Sequence, residues 1–477
     1  MNLKGLAGAR GLGDEQSRLV EECAQVLDRN LAKHARRRSY YYDKVKPKNR
    51  TKINFASEYY NGDYSIGWAA KAVDALADRS VFDGYVFDGE VPQGFYDVIE
   101  DNDLAEAYSE ALSSMLIEGV GFWTVANDGG VKIKYHDATT AGAVWDYGKR
   151  RIRACLVVND WRRENSVYEP SQCVLYTSEV NVVIDKGADG VWRAENRPHA
   201  FGAPMAAAMA FKKTFSRPFG RSRVTPAVMA MVDAAVEEMM NMRMQSDYFS
   251  LPMKYVLGLS EDQFDDVSEN MHRAYAAEMF LATNNEDGGT PTMGMLQAAD
   301  MTPHIKTLDK LANMMASETC LPVASFGVSS NGYTSSDALR ASTDDLVVLA
   351  QSMNKSNKRT MEQVAQMVLA VIGNKSLEEL DENELTVSAH FENPSMPSEA
   401  TITDAIVKQA SIIPGFAETD VCLERLGYSE DDRLRIKNQT KAAANSAAIR
   451  ERLANGSDVV ARQLRADADG AGQSPEG

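Results

Sequence analysis

The chain lacks the sequence patterns that mark most enzymes. It contains no GxxxxGK[ST] phosphate loop, no GxGxxG dinucleotide motif, no HExxH zinc motif and no GxSxG nucleophile motif. Its six histidines are scattered, and its five cysteines include no CxxC pair, which argues against a metal site or a disulfide framework. We therefore predict a protein that is not an enzyme, needs no cofactor and no metal, and keeps its thiols reduced and mostly buried.

Long apolar segments are missing as well. No hydrophobic run approaches the roughly 18 residues that a membrane-spanning helix needs. Residues 1–17 have no apolar core of the kind found in secretory signals. We therefore expect no membrane partner, and we expect the protein to be made in, and to stay in, a cytoplasm.

Acidic residues outnumber basic ones. The 477 residues include 51 Lys and Arg against 68 Asp and Glu, for a formal net charge of −17. A surface with this net charge does not bind nucleic acid through general charge attraction, because phosphate contacts need local positive charge. The sign is compatible with a wall past which DNA slides, and equally with ordinary solubility.

Hydrophobic periodicity predicts an α+β fold that is predominantly helical. Helical spacing covers residues 15–35, 67–79 and 103–118. Residues 121–185 instead alternate short β-branched and aromatic segments with turn sequences, which predicts an antiparallel β unit. Its predicted strands are residues 121–125, 131–136, 143–147, 152–158, 173–178 and 180–185.

The second half of the chain returns to helical spacing. Thr225 followed by Pro226 has the form of a helix N-terminus. Residues 456–477 are rich in Gly, Ala and Asp, which predicts a disordered tail. Between these points we predict helices at 225–249, 302–319, 336–372 and within 398–454, strands at 253–257 and 384–392, and a mixed acidic stretch at 250–300.

The predicted helix at 302–319 carries an apolar stripe and a polar stripe on different faces. The apolar stripe is Ile305, Leu308, Ala312, Met315 and Ala316. Lys306, Lys310, Asn313 and Ser317 recur at helical spacing and form one continuous polar face. If this face lined a channel, it would place lysines around a passing polyanion without base specificity. A solvated outer face explains the same pattern, and the sequence leaves both interpretations open.

A basic run near the N-terminus encloses Tyr40, Tyr41 and Tyr42. Arg and Lys can pair with phosphate and tyrosine can stack on bases, so the run is the most nucleic-acid-like patch of the chain. Because the whole chain is acidic, we favour the interpretation that these tyrosines pack into a neighbouring subunit or into the core while the charges stay solvated.

Several segments carry no chemical motif but occur in a distinctive order. They are RRSYYYD at 37–43, WAAKAVDALADR at 68–79, FDGY at 82–85, residues 107–125, FGRSRVTPAVMAMVD at 219–233, PMKYVL at 252–257, TCLPVASFG at 319–327, SSDAL at 335–339, NPSMPSEATITDAIVK at 393–408 and LERLGYS at 423–429. In this order and spacing, over about residues 15–455, the chain resembles the portal proteins of tailed bacteriophages. The resemblance is to the branch common in phages of Gram-positive hosts.

The resemblance implies a ring, usually of twelve subunits, at one vertex of the capsid. Double-stranded DNA would pass through its channel during packaging and ejection, without sequence specificity. The partners implied are the terminase large subunit, head–tail adaptor proteins, and the major capsid and scaffold proteins. The protein would be a virion component made in the host bacterial cytoplasm. The parts implied are a wing at 1–224, stem helices at 225–249 and 301–320, a clip at 250–300, a tunnel-loop region at 321–337, a long helix and return strand of the wing at 338–397, and a helical crown at 398–455.

The resemblance also suggests which residues carry function. Lys306, Lys310, Asn313 and Ser317 become candidates for the channel face of the stem. Candidates for the tunnel loop are Ser329, Ser330, Asn331, Gly332, Tyr333, Thr334 and Ser335. Candidates for terminase or adaptor docking on the clip are Asp262, Asp265, Asp266, Glu269 and Arg273. The alternatives are another capsid-associated structural or adaptor protein and, beyond that, a metal-dependent nuclease.

Overall fold

The computed structural model describes residues 3, 5–46, 64–164, 167–249, 254–257, 290, 292–295, 300–328, 342–395, 399–428, 432–433, 435–441 and 446. The chain divides into two compact units, Met1–Pro394 and Ser395–Gly477. Both α-helices and antiparallel sheets are present, as the sequence predicts. Within the described ranges, no helix is long and apolar enough to cross a membrane.

The described α-helices of the first 118 residues are α1 (Asp14–Tyr41), α2 (Trp68–Ala77), α3 (Phe95–Asp101) and α4 (Leu104–Glu118). The apolar residues of α1 recur at helical spacing, so Leu19, Cys23 and Leu27 are all buried. Helix α4 ends at Gly119, whose φ of 102° suits glycine. A Cβ at this position would lie 2.8 Å from backbone atoms of the segment that leads to the next helix. The tight turn therefore lets two chain segments pack against each other.

The strands of the first unit form antiparallel sheets. Strands β4 to β8 pair in sequence order, while β2 lies between β3 and β9, and β1 pairs with β12. Their bounds are β1 (Phe82–Val86), β2 (Val120–Asn127), β3 (Val131–Asp137), β4 (Ala141–Asp146), β5 (Arg151–Glu164), β6 (Val167–Tyr176), β7 (Val180–Lys186), β8 (Trp192–Pro198), β9 (Ala206–Ala210), β10 (Lys254–Leu257), β11 (Thr292–Met295) and β12 (Ser388–Phe391). The β unit predicted over 121–185 is confirmed, and it continues beyond the predicted end.

Some elements were not predicted, namely β1, α3, β8, β9 and β11. The alanines of β9 have low intrinsic strand propensity, but the strand is largely buried and pairs with β2. Strand β8 carries mostly exposed polar residues after Trp192, so it has no apolar alternation to signal a strand. Pairing with neighbours, rather than local sequence, decides the structure of both segments.

The remaining elements of this unit are α5 (Pro226–Phe249), β10 paired with β11, α6 (Thr302–Thr319), α7 (Asp344–Gly373) and α8 (Glu382–Leu385). The helix predicted at 336–372 begins at Asp344 in the described part of the chain, after a turn at 342–343. The strand predicted at 384–392 is too long. Residues 382–385 form α8 instead, because Glu384 accepts a hydrogen bond from the Asp381 amide in a capping box.

The second unit contains α9 (Glu399–Ile412) and α10 (Asp420–Arg425). Ile406, Phe416 and Cys422 form its small buried core. The helices predicted within 398–454 agree with the described residues, and the tail at 456–477 lies outside them. All five cysteines are free, and four of them are buried, as predicted.

A partly buried ion cluster joins α1, α4 and β3, and Glu118 is its fully buried member. The Arg38 guanidinium lies 2.6 Å from the Glu118 carboxylate and 2.7 Å from the Asp137 carboxylate. Glu118 also accepts a hydrogen bond from the Ala138 amide at 2.7 Å. Burial, followed by the charge of Asp137, raises the pKa of Glu118 to about 7. Arg38 therefore separates two carboxylates that would otherwise repel each other inside the protein.

Replacing Arg38 with Ala is expected to destabilise the fold by about 3 kcal/mol near pH 8, since it leaves the two carboxylates buried without their partner. The loss should shrink as the pH falls towards 5. Without Arg38 the pKa of Glu118 rises further in the folded state, which then binds protons more tightly than the unfolded chain. Chemical denaturation at several pH values measures both effects.

The matched control is Arg29→Ala, which removes an exposed arginine from the same helix. Its effect should be small and independent of pH. Equal destabilisation by Arg38→Ala at pH 5 and pH 8 would contradict the assigned role of Arg38.

Candidate functional site

Helices α5 and α6 form an antiparallel pair, called the helix pair below. Thr225, at the start of α5, donates a hydrogen bond to Glu318 near the end of α6, at 3.2 Å. Further along, His304 near the start of α6 lies 2.6 Å from Glu238 of α5. These two contacts fix the opposite directions of the helices. The two-stranded β10–β11 sheet belongs to the segment that connects them.

The start of α5 follows the predicted pattern. The Thr225 side chain accepts a hydrogen bond from the Val228 amide at 3.2 Å, and Pro226 occupies the first helical position. Small and flexible side chains fill the contact between the helices. The buried residues are Val228, Met229, Met231, Val232, Ala235, Val236, Met240 and Met244 on α5, and Ala312, Met315, Ala316 and Thr319 on α6. The methionines of α5 therefore act mainly as core residues.

The predicted polar stripe lies on the outer side of α6. Lys306, Lys310, Asn313 and Ser317 are all exposed. At 100° per residue, these positions lie well away from the face that is buried against α5. The Asn313 side chain donates a hydrogen bond to the Asp309 carbonyl at 2.6 Å, so it folds back along the helix. The two lysines are thus available to a partner outside the subunit.

The apolar stripe predicted for α6 is only partly correct. Ala312, Met315 and Ala316 are buried as expected, whereas Ile305 is 49% exposed. The first turns of α6 therefore pack less closely than its last turns.

Arg223 connects the helix pair to the rest of the first unit. Its side chain is 6% exposed, and its guanidinium donates hydrogen bonds to the Ala72 carbonyl and, at 2.6 Å, to the Thr319 carbonyl. The backbone amide of Arg223 also donates to the Leu116 carbonyl at 2.8 Å. Burial lowers the pKa of Arg223 to about 10. One side chain thus links α2, the segment before α5 and the end of α6.

The neighbouring Ser222 strengthens this attachment. Its buried hydroxyl donates to the Ile117 carbonyl at 2.5 Å. Trp68 of α2 stacks edge-on against Phe326, just beyond α6, with ring centroids 5.8 Å apart. Arg223 and Ser222 were missed as functional candidates, because a lone arginine beside a serine carries no recognisable pattern.

The tyrosine run agrees with the favoured interpretation only in part, because not all of its charges stay solvated: Arg37 is buried and donates a hydrogen bond to the Glu118 carbonyl, and Arg38 is paired with the Glu118 carboxylate. Tyr40 is buried and donates a hydrogen bond to Asp233 of α5 at 2.7 Å, and Tyr41 donates to Asp74 at 2.9 Å. Tyr42 alone of the three is exposed, at 56%. The hydroxyl of Tyr40 therefore ties α1 to the helix pair rather than offering a surface for bases.

Two sets of predicted site residues lie outside the described part of the chain. The first is Ser329, Ser330, Asn331, Gly332, Tyr333, Thr334 and Ser335. The second is Asp262, Asp265, Asp266, Glu269 and Arg273.

The sequence of the chain matches a known protein family over most of its length. The profile of the family described as phage portal protein, SPP1 Gp6-like, matches residues 21–433. The portal protein of Mycobacterium phage L5 is 21% identical over 410 residues, which cover 82% of this chain and 82% of that protein. The portal protein of Mycobacterium phage D29 is 22% identical over 262 residues, covering 54% of this chain and 53% of that protein.

Two of the solved structures to which the chain is similar come from gene transfer agent particles. A chain from the neck of a native particle, computed with C12 symmetry, is 12% identical, with a TM-score of 0.40 over 73% of this chain and 87% of that one. A chain from a native gene transfer agent virion is 11% identical, with a TM-score of 0.39 over 72% of this chain and 85% of that one.

Replacing Arg223 with Lys is expected to weaken the attachment of the helix pair to the rest of the first unit. Lysine keeps the charge, but its ammonium is a compact donor that lacks the planar fork needed to reach both carbonyls. We expect a loss of about 2–3 kcal/mol in stability. We also expect faster amide exchange at the end of α6, measured by hydrogen–deuterium exchange.

The matched control is Arg221→Lys, since Arg221 is exposed and two residues away. It should change neither stability nor exchange. Unchanged exchange at residues 312–319 in the Arg223→Lys protein would show that Arg223 does not hold the helix pair.

Proposed function

The chain belongs to the phage portal protein family of the SPP1 Gp6-like type, and on this basis we propose that it forms a closed ring at one capsid vertex. Double-stranded DNA enters and leaves the capsid through the channel of that ring. The observation that carries the proposal is the family match over residues 21–433, which includes the β unit, the helix pair and α7. The role that goes with the family is structural and not enzymatic.

The helix pair is the part best suited to form the wall of the channel. It is held to the body at one end by Arg223, and the β10–β11 sheet belongs to its opposite end. A ring of subunits with α6 turned inward would place Lys306 and Lys310 around the passing duplex. Lysines attract phosphate without reading bases, and such contacts are easily exchanged as DNA moves.

The other parts are proposed as the resemblance to the family implies them. Residues 1–224 and 338–397 would form the wing, 250–300 the clip, 321–337 the tunnel-loop region and 398–455 the crown. The clip, with Asp262, Asp265, Asp266, Glu269 and Arg273, would dock the terminase and later the head–tail adaptors. Residues 329–335 would contact DNA as the tunnel loop. The wing and crown would meet the capsid and scaffold proteins.

The mass of the purified protein tests the ring directly. A single species of twelve subunits, each of 52.4 kDa, is the expected result of mass photometry at micromolar concentration. Because assembly can depend on a scaffold protein, the measurement is repeated with the scaffold protein present. A monomer or dimer under both conditions would contradict the proposal.

Replacing Lys306 and Lys310 with Ala tests the channel face. Rings should still form, because both side chains are exposed and away from the contact with α5. Packaging or retention of DNA should fall by about tenfold, since each subunit loses two phosphate-attracting charges. DNA content per particle and infectious titre measure the effect.

The control for this experiment is Lys71→Ala with Lys132→Ala, which removes two exposed lysines elsewhere in the same unit. It should leave packaging and titre unchanged. Normal titre and DNA content from the Lys306/Lys310 variant would place the stripe away from the channel.

A further inference from the structure

A cleft of the first unit collects positive charge in a chain that is otherwise acidic. Its volume is about 530 Å³. It lies between the β4–β5 turn, the segment between β9 and α5, and one face of α7. No acidic residue lines the cleft within the described part of the chain. Its cations are Lys149, Arg150, Arg151, Lys213 and Arg359.

The cations of the cleft are poorly compensated inside the subunit. None of the five makes an ion pair with another described residue, although Asp146 lies close enough to interact with Lys149 and Arg151, and Glu362 with Arg359. Burial and then the charge of Arg359 lower the pKa of Lys213. Like charges held together in one cleft favour an anionic partner.

The shape and lining of the cleft favour a peptide over duplex DNA. Trp145, Phe201 and Met367 contribute apolar surface, and Phe215 stands at its edge, 75% exposed. A concave, partly apolar cavity receives protruding side chains. The phosphates of a duplex instead lie on a convex rod, which a flat or grooved basic surface contacts better. The cleft therefore suits a segment that carries both carboxylates and apolar residues.

The same unit presents a segment of this kind on a different surface. Residues 80–131 contain no Lys, Arg or His. The loop after β1, helix α3 and the start of α4 expose Asp88, Asp97, Glu100, Asp101, Asp103 and Glu106. None of these six carboxylates makes an ion pair with a described residue. Val86, Val91 and Tyr96 add exposed apolar surface, at 52%, 42% and 36%. We call this segment the acidic face.

The acidic face and the basic cleft lie next to different sides of α7. Arg359, Gln363 and Gln366, which line the cleft, share one side of the helix at 100° per residue. Met361 lies on the opposite side, and its carbonyl accepts a hydrogen bond from Tyr85 of β1 at 3.0 Å. Helix α3 packs on α7 within this same region. Two complementary surfaces on different sides of one subunit are what a head-to-tail contact requires.

We propose that the acidic face of one subunit docks into the basic cleft of its neighbour and thereby joins successive copies of this chain. This inference rests on the proposed ring, and it names the surfaces that close the ring. A head-to-tail contact repeated around an axis generates a closed ring when its rotation closes. The contact pairs carboxylates with Lys213, Arg359 and the β4–β5 turn, and Phe215 and Tyr96 supply apolar area.

Charge reversal on each side tests the contact. Lys213→Glu with Arg359→Glu, or Asp97→Lys with Asp101→Lys, should each raise the concentration needed for ring assembly by about tenfold or more. The protein that carries all four changes should form rings again, because the charges are reversed on both sides. Sedimentation velocity at a series of concentrations gives the assembly midpoint, and circular dichroism checks that each variant is folded.

The control is Arg18→Glu with Arg29→Glu, an equal change of charge at two exposed sites of α1. It should leave assembly unchanged. If the wild-type protein forms no ring either alone or with the scaffold protein, the proposed function fails. If the wild type forms rings and both reversed proteins assemble normally, this inference alone is overturned. Normal rings that lose DNA retention in the Lys213/Arg359 variant would make the cleft a DNA site and would also overturn it.

Discussion

The placement of the helix pair depends on the hydrogen bonds that Arg223 donates to two backbone carbonyls. A buried guanidinium is stable only when its donors are satisfied, and here the donors meet carbonyls of α2 and of the last residue of α6. The carbonyl of Thr319 has no partner within its own helix, and the negative end of the helix dipole favours a cation there. The contact therefore satisfies both groups at once and fixes the angle at which the helix pair leaves the body.

The net charge of the chain is −17, but positive and negative residues are distributed unevenly over the fold. In the cluster around Arg38, one guanidinium pairs with the carboxylates of both Glu118 and Asp137. The outer surface has two lysines on α6, a basic cleft beside α7, and a long acidic segment around α3. A subunit that repeats around an axis can use each of these surfaces against a different partner: DNA, one neighbour, or the other neighbour.

Much of this architecture was predictable from the sequence, and the exceptions have physical reasons. Helical periodicity placed α6 at residues 302–319, because its buried positions recur every three or four residues. The N-terminus of α5 was visible in Thr225 and Pro226. Strand β9 could not be predicted from the sequence, since its alanines become a strand only through pairing with β2.

The exposure of Lys306 and Lys310 was predicted, but the surface they face depends on the assembly. Arg223 and the basic cleft were missed, because their residues converge from distant segments. The absence of basic residues over 80–131 can be read from the sequence. It suggests a docking surface only once the structure shows a basic cleft that could receive it.

The most direct test of this account is electron microscopy of the purified protein, with class averages viewed along the symmetry axis. We predict rings with one rotational symmetry and a central hole of roughly 20 Å or more, the width that a B-form duplex needs. Rings without an axial hole, or shells, would contradict the central claim. So would particles that stay single subunits in the presence of the scaffold protein.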